Sequence, residues 1–177
     1  DEFARQNQKL MEGLKDLDMD VLGIVELQNA DETVDRFLAE LNAMLPSRNY
    51  VAASQLGSVS GGTDKIRTDV IFDSNKLAFR GAAMLDDSFA GAAPFVARST
   101  VGTLFNGPNS NRPPIAATLV EKSTNAMVTI VTNHLKSKAA RSGVKGADRD
   151  AKDGASSWNY QRTLGAQTLL SWLSTNP

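Results

Sequence analysis

Two apolar runs in this sequence end on residues able to do chemistry. Val21 to Val25 is a continuous apolar segment closed by Glu26, and in layered α/β proteins ligands bind at the carboxyl ends of strands, where side chains leave the core. A carboxylate there suits a hard cation such as Mg²⁺, which takes oxygen ligands and keeps several waters. His134, the single histidine, closes a second run, Val131-Thr132-Asn133-His134-Leu135-Lys136-Ser137-Lys138. An imidazole can give a proton or a hydrogen bond to a phosphoryl oxygen near neutral pH, and Asn133, Lys136 and Ser137 add donors suited to an anion. Arg112 precedes the rigid pair Pro113-Pro114 at the start of a neighbouring strand, so its planar fork can be held toward a phosphate. Each residue alone also has a plain structural reading: a solvated strand-end carboxylate, a structural histidine, a surface arginine at a hairpin entrance. Asp148, Asp150 and Asp153 offer a Ca²⁺ site as an alternative, but without the complete calcium-loop spacing.

The elements that must position these residues follow from periodicity. Phe3, Leu10, Leu14 and Leu17 form the apolar stripe of a first helix ending near Asp18. After the strand at Val21–Val25, Asp31 is a plausible N-cap for a second helix with Val34, Phe37, Leu38, Leu41 and Leu45 on one face, stopped by Pro46. Tyr50–Ser54 and Ile66–Phe72 read as strands, and Asp73-Ser74-Asn75 as a turn into a strand over Leu77–Met84. A later hairpin has arms Ile115–Val120 and Met127–Thr132 joined by Lys122–Asn125. Residues 85–111 and Gly143–Ser157 read as long polar loops, the kind that carry function, and a last helix covers Trp158 to Leu173. This order predicts an α/β protein of the α+β type, a mixed sheet with hairpins covered on one side by helices.

Composition narrows the function classes. A chain of 177 residues, 41% hydrophobic and 22% charged, holds one domain or part of one. No apolar run approaches the roughly 20 residues of a membrane helix, so no membrane partner is expected. The absence of cysteine rules out disulfides and thiolate metal sites. The net charge of −1 hides an asymmetry: residues 1–40 carry 11 acids and 4 bases, the remainder 9 acids and 15 bases. Lys136, Lys138, Arg141, Lys145 and Arg149, against Asp148, form a basic run able to attract phosphate, or simply a solvated loop.

Taken together and in order, these segments resemble the endonuclease/exonuclease/phosphatase superfamily of DNase I-like proteins, above all its bacterial extracellular nuclease branch. The resemblance is carried by Arg5-Gln6, Asp20-Val21-Leu22-Gly23 leading to Glu26-Leu27-Gln28-Asn29, Gly62-Thr63-Asp64, Arg112-Pro113-Pro114, Asn133-His134-Leu135-Lys136-Ser137-Lys138, and Arg162 with Ala166-Gln167 and Trp172-Leu173. It implies a four-layer α/β/β/α sandwich and a secreted, Mg²⁺-dependent nuclease acting on DNA or RNA, with Mn²⁺ or Ca²⁺ as substitute ions. It implies Glu26 as the magnesium ligand, His134 as the active-site histidine and Arg112 as the arginine facing phosphate. Asn29, Asn133, Lys136 and Arg162 match positions near substrate, and Asp64 and Arg67 match more loosely.

Phe72 departs from the tyrosine frequent in that branch, which removes a hydroxyl. The family's first strand with its Asn, its Gly-Asp-x-Asn motif and its terminal Asp-His pair have no counterpart in this sequence. Residues 1–177 therefore read as the N-terminal part of one such domain, supplying roughly one sheet with its helices. On that reading the fragment is inactive by itself and self-associates through an exposed sheet face. A sphingomyelinase or phosphoinositide phosphatase of the same superfamily, or a non-catalytic binding module, is the alternative.

Overall fold

Apolar side chains on both faces of Ile66–Asp73 decide the architecture, because such a strand must be covered twice. The structure, a computed structural model, describes residues 2–140 and 144–177. Arg141 of the basic run, Gly143 and the side chain of Phe3 lie outside the described residues. The elements are α1 (Glu2–Leu17), β1 (Val21–Gln28), α2 (Asp31–Met44), β2 (Tyr50–Ala52), α3 (Ala53–Gly57), β3 (Ile66–Asp73), β4 (Leu77–Met84), α4 (Ala93–Val96), β5 (Arg112–Glu121), β6 (Met127–His134) and α5 (Asn159–Leu173).

The strands form two antiparallel three-stranded sheets, ordered β1-β3-β2 and β4-β5-β6. Successive side chains of a strand point to opposite faces. Ile71 of β3 accordingly packs with Val34, Phe37, Leu38 and Leu41 of α2, while Val70 and Phe72 meet Leu77, Ala117 and Leu119 of the other sheet. Ala116 of β5 faces outward, to a third cluster with Leu85, Leu104, Phe105, Leu164 and Trp172 under α5. The layers are thus α1 and α2, the β1-β3-β2 sheet, the β4-β5-β6 sheet, and α5, an α/β/β/α sandwich.

The expectation of one mixed sheet is corrected by this arrangement. Both sheets belong to the chain and pack face to face, so the sheet face expected to lie open is covered between them. The first helix also differs. Met11 and Leu14 are buried, whereas Leu10 and Leu17 of the expected stripe are exposed, because α1 touches its neighbours along a narrow seam. Asp31 is the first helical residue of α2 rather than its cap, and Ala30 holds the N-cap without a side-chain bond. The run at Tyr50–Ser54 leaves the sheet at Ala52 and turns into α3.

Candidate active site

Irregularities in two strands build the rim of the sandwich. In β1 the pairing with β3 jumps from Ile24–Asp69 to Leu27–Arg67, so Val25 and Glu26 stand opposite the single residue Thr68. Such a bulge bends a strand and re-aims a side chain. Glu26 adopts φ 61°, a left-handed conformation that costs a non-glycine residue of order 1–3 kcal/mol. In β5 the pairing with β6 jumps from Arg112–His134 to Ile115–Thr132, which places Pro113 and Pro114 at a second bulge. Proline, lacking an N–H, is tolerated in a sheet at just such a position.

Close approach of β1 and β6 joins the two rims. Gly23 has no side chain, and a β-carbon there would lie 2.9 Å from Thr132 Oγ1. Across the sheets, Thr68 Oγ1 donates to the Pro113 carbonyl at 2.8 Å. These contacts bring Glu26 Oε1 to 3.5 Å from His134 Nε2, too long for a good hydrogen bond. The Glu26 side chain is 68% exposed and that of His134 is 19% exposed, so the carboxylate meets solvent while the ring is half sunk beneath it.

Arg112 pairs directly across from His134 in the ladder. Its Nε lies 3.3 Å from Asp64 Oδ2, close enough for ion pairing without the alignment of a hydrogen bond. Asp64 is delivered by a loop that Asn29 pins: its amide donates to the carbonyls of Gly62 (2.8 Å) and Asp64 (2.9 Å). Gly62, at φ 77°, makes the turn, and a β-carbon there would strike Asn106 and Pro113 at 2.8 Å.

Burial pushes the His134 pKa down, and the neighbouring Arg112 cation pushes it further; Glu26 and Asp64 pull it back up. The ring is therefore held toward its neutral form. Its Nδ1 is buried without a partner among the described residues. The carboxylate beside Nε2 favours the neutral tautomer that carries its proton there.

Glu26, His134, Arg112 and Asp64 are thus gathered at one rim. Asn133 is exposed and its amide donates to the Val131 carbonyl at 3.1 Å. The Lys136 ammonium lies over the Trp158 ring, 5.1 Å from its centroid, and the Lys136 backbone N–H donates to Asn111 Oδ1 at 2.9 Å. Arg162 directs its guanidinium to the carbonyls of Ala155 (2.7 Å), Ser157 (2.8 Å) and Lys136 (3.3 Å), which fixes the loop before α5. Arg67 is buried and donates to Ser54 and, at 2.9 Å, to Asp69. Phe72 is stacked on Phe79 in the inter-sheet core, centroids 6.2 Å apart, so the missing hydroxyl leaves an apolar contact.

Asp148 turns inward, accepting from Thr100 Oγ1 (2.6 Å) and the Gln161 N–H (2.8 Å). Among the described residues no group of three or more His, Asp or Glu is placed to hold a metal. The Ca²⁺ alternative at 148–153 is therefore without a built site. Mg²⁺ makes a lesser demand, since one or two carboxylates suffice when waters and phosphate oxygens complete its shell. An exposed carboxylate on a bulge, as Glu26 is, fits that demand.

Sequence reading missed the positioning residues Gly23, Thr132 and Asn111. The buried Asn111 amide donates to the Leu104 carbonyl (3.0 Å) and accepts from Lys136, tying the loop after His134 to the core. Its place directly before Arg112-Pro113-Pro114 was the one available signal.

No family model matches the sequence, and no curated protein matches it. Among solved structures, the human Nocturnin catalytic domain with bound sulfate anion matches at a TM-score of 0.53 and 18% identity, over 94% of this chain and 49% of that one. TDP2 of D. rerio, complexed with single strand DNA product, matches at a TM-score of 0.55 and 13% identity, over 98% of this chain and 49% of that one. The chain spans about half the length of each. The fold is the DNase I-like α/β/β/α fold that the sequence resemblance implies.

Proposed function

We propose that the protein carrying this sequence is a Mg²⁺-dependent hydrolase of nucleic-acid phosphodiesters, with Glu26, His134 and Arg112 at its centre. The observation that carries this reading is the 3.5 Å approach of Glu26 to His134 at a rim that Arg112 shares. Solved structures of the same fold include one with a sulfate anion and one with a single-strand DNA product, ligands of the charge and kind this rim would take. Mg²⁺ as the ion and an extracellular setting rest on the family resemblance alone.

Each residue has a role that its surroundings suit. The Arg112 terminal nitrogens make no hydrogen bond among the described residues, so the fork can receive phosphate oxygens bidentately. His134, neutral with its proton on Nε2, donates a hydrogen bond to a non-bridging oxygen as charge develops there. Glu26 holds the cation, which when bound supplies Lewis-acid polarisation of the phosphoryl oxygen. Asp64 keeps Arg112 aligned, and Asn29 keeps Asp64 in place.

Incubation of the intact protein with a single-stranded oligonucleotide tests the reading. Hydrolysis that needs Mg²⁺, stops with chelator and returns on adding back the ion is the expected outcome. Metal-independent hydrolysis, or nucleic-acid binding without any cleavage, would overturn it.

A further inference from the structure

Beside the rim, a groove of about 650 Å³ opens between the end of β1, the start of α2, α3 and the loop before β3. Pockets of this size hold small organic molecules. Arg67, its side chain 4% exposed, lies at the bottom, and Asp31, its side chain 89% exposed, at the lip. Serines 54, 58 and 60 line the groove between them.

The guanidinium at the bottom is only partly used. Nη2 donates to Ser54 Oγ and Asp69 Oδ2, Nε has no partner, and Nη1 has only a 3.6 Å approach to Asp31. Nη1 is the donor open toward Asp31, and a buried donor left unmatched is costly, so an acceptor entering from that side gains by completing it. Charge then decides which acceptor. One cation faces two carboxylates, Asp69 and Asp31, so the balance is −1 and repels a second phosphate. A neutral group, such as the carbonyl or ring nitrogen of a base or the hydroxyl of a sugar, meets Arg67 and the serines without that penalty.

The groove adjoins the proposed catalytic rim. Asn29 lines it while holding the carbonyls of Gly62 and Asp64, and Asp64 contacts Arg112. Asn29, the residue after β1, lies three residues beyond Glu26, at most about 10 Å away. We propose that this groove receives the uncharged base and sugar of a nucleotide whose phosphate is held at Glu26, Arg112 and His134, an assignment that rests on the phosphodiesterase reading above.

NMR titration of the protein with adenosine or cytidine, and separately with inorganic phosphate, tests it. The expected result is that either nucleoside shifts the amides of Ser58 to Gly62 and the Arg67 Nε–H, while phosphate leaves them in place. Gln55→Trp, at an exposed position on the groove wall, should weaken nucleoside binding about tenfold, or 1.4 kcal/mol. Asp31→Asn should keep nucleoside binding and admit phosphate. Unmoved groove resonances with both nucleosides, or phosphate shifting them as strongly, would overturn the assignment. Hydrolysis of bis(p-nitrophenyl) phosphate, which has no nucleoside, separates the two claims. Retained hydrolysis without nucleoside binding sinks the groove alone, whereas nucleoside binding without hydrolysis sinks the catalytic reading and the groove's assignment to substrate with it.

Discussion

Gly23 and Thr132 face each other across the two sheets so closely that a β-carbon at Gly23 would lie 2.9 Å from Thr132 Oγ1. Gly23 stands three residues before Glu26, and Thr132 two before His134. The gap between Glu26 and His134 is therefore set by a contact within the sandwich, and the missing side chain permits it.

Gly23→Ala should push β1 and β6 apart. An overpacked contact typically costs 1–3 kcal/mol, and displacement of a catalytic group by about 1 Å can cost on the order of 10²-fold in rate. Thermal unfolding and kcat/KM of Gly23→Ala and of Gly23→Ala/Thr132→Ala check this. The second variant removes the clashing hydroxyl and should recover much of both losses.

The His134 ring should titrate below the ordinary histidine value of 6.5. Arg112→Ala should raise its pKa and Glu26→Gln should lower it further, each followed by the ring resonances in NMR. Since the folded pKa lies below the unfolded one, the unfolded chain binds the proton first. The contribution of His134 to stability is thus present above about pH 6.5 and declines as pH falls below it. A ring pKa above 6.5 would contradict the assigned surroundings.

Asp69 and Arg67 form a buried ion pair, 0% and 4% exposed, with Ser54 as the third member. Asp69→Ala leaves the guanidinium without its buried counter-charge and only the exposed Asp31 nearby, and should cost about 3–5 kcal/mol in urea unfolding. Replacing both by apolar residues, Arg67→Met with Asp69→Leu, should be far milder, because no buried charge then remains.

Glu26 carries strain that a glycine would not. Glu26→Gly should unfold at higher urea, gaining about 1 kcal/mol, while activity is lost. A variant both less stable and inactive would mean that Glu26 has a structural role its exposed side chain does not suggest.

Much of this was legible in the residues because the signals are local. Val21–Val25 and Met127–Thr132 announce strands by composition, and His134 closes its strand as expected, whereas Glu26 stands at a bulge inside β1, which runs on to Gln28. What escaped was relational. β3 has apolar residues on both faces whether helices or a second sheet cover it, so Val70, Ile71 and Phe72 could not reveal two sheets. The bulge that turns Glu26 toward His134 is a register event between β1 and β3, absent from either segment alone. The Ser54–Arg67–Asp69 cluster joins residues 13 and 15 apart through the fold. Residue type also gives charge without direction: Lys136, a donor suited to an anion, lies over Trp158, and Arg162, matched to a position near substrate, grips backbone carbonyls.

The pairing of Glu26 with His134 as one phosphate-handling unit is tested most directly by kcat/KM for phosphodiester hydrolysis in the intact protein with Mg²⁺, measured for Glu26→Ala, His134→Ala and the double variant. Each single change should lower kcat/KM by about 10²–10⁴-fold, and the double variant should be little worse than the worse single one, as for groups that act together. Single variants within about tenfold of the parent, or a double variant whose loss is the product of the two, would show that the two residues do not act as a unit.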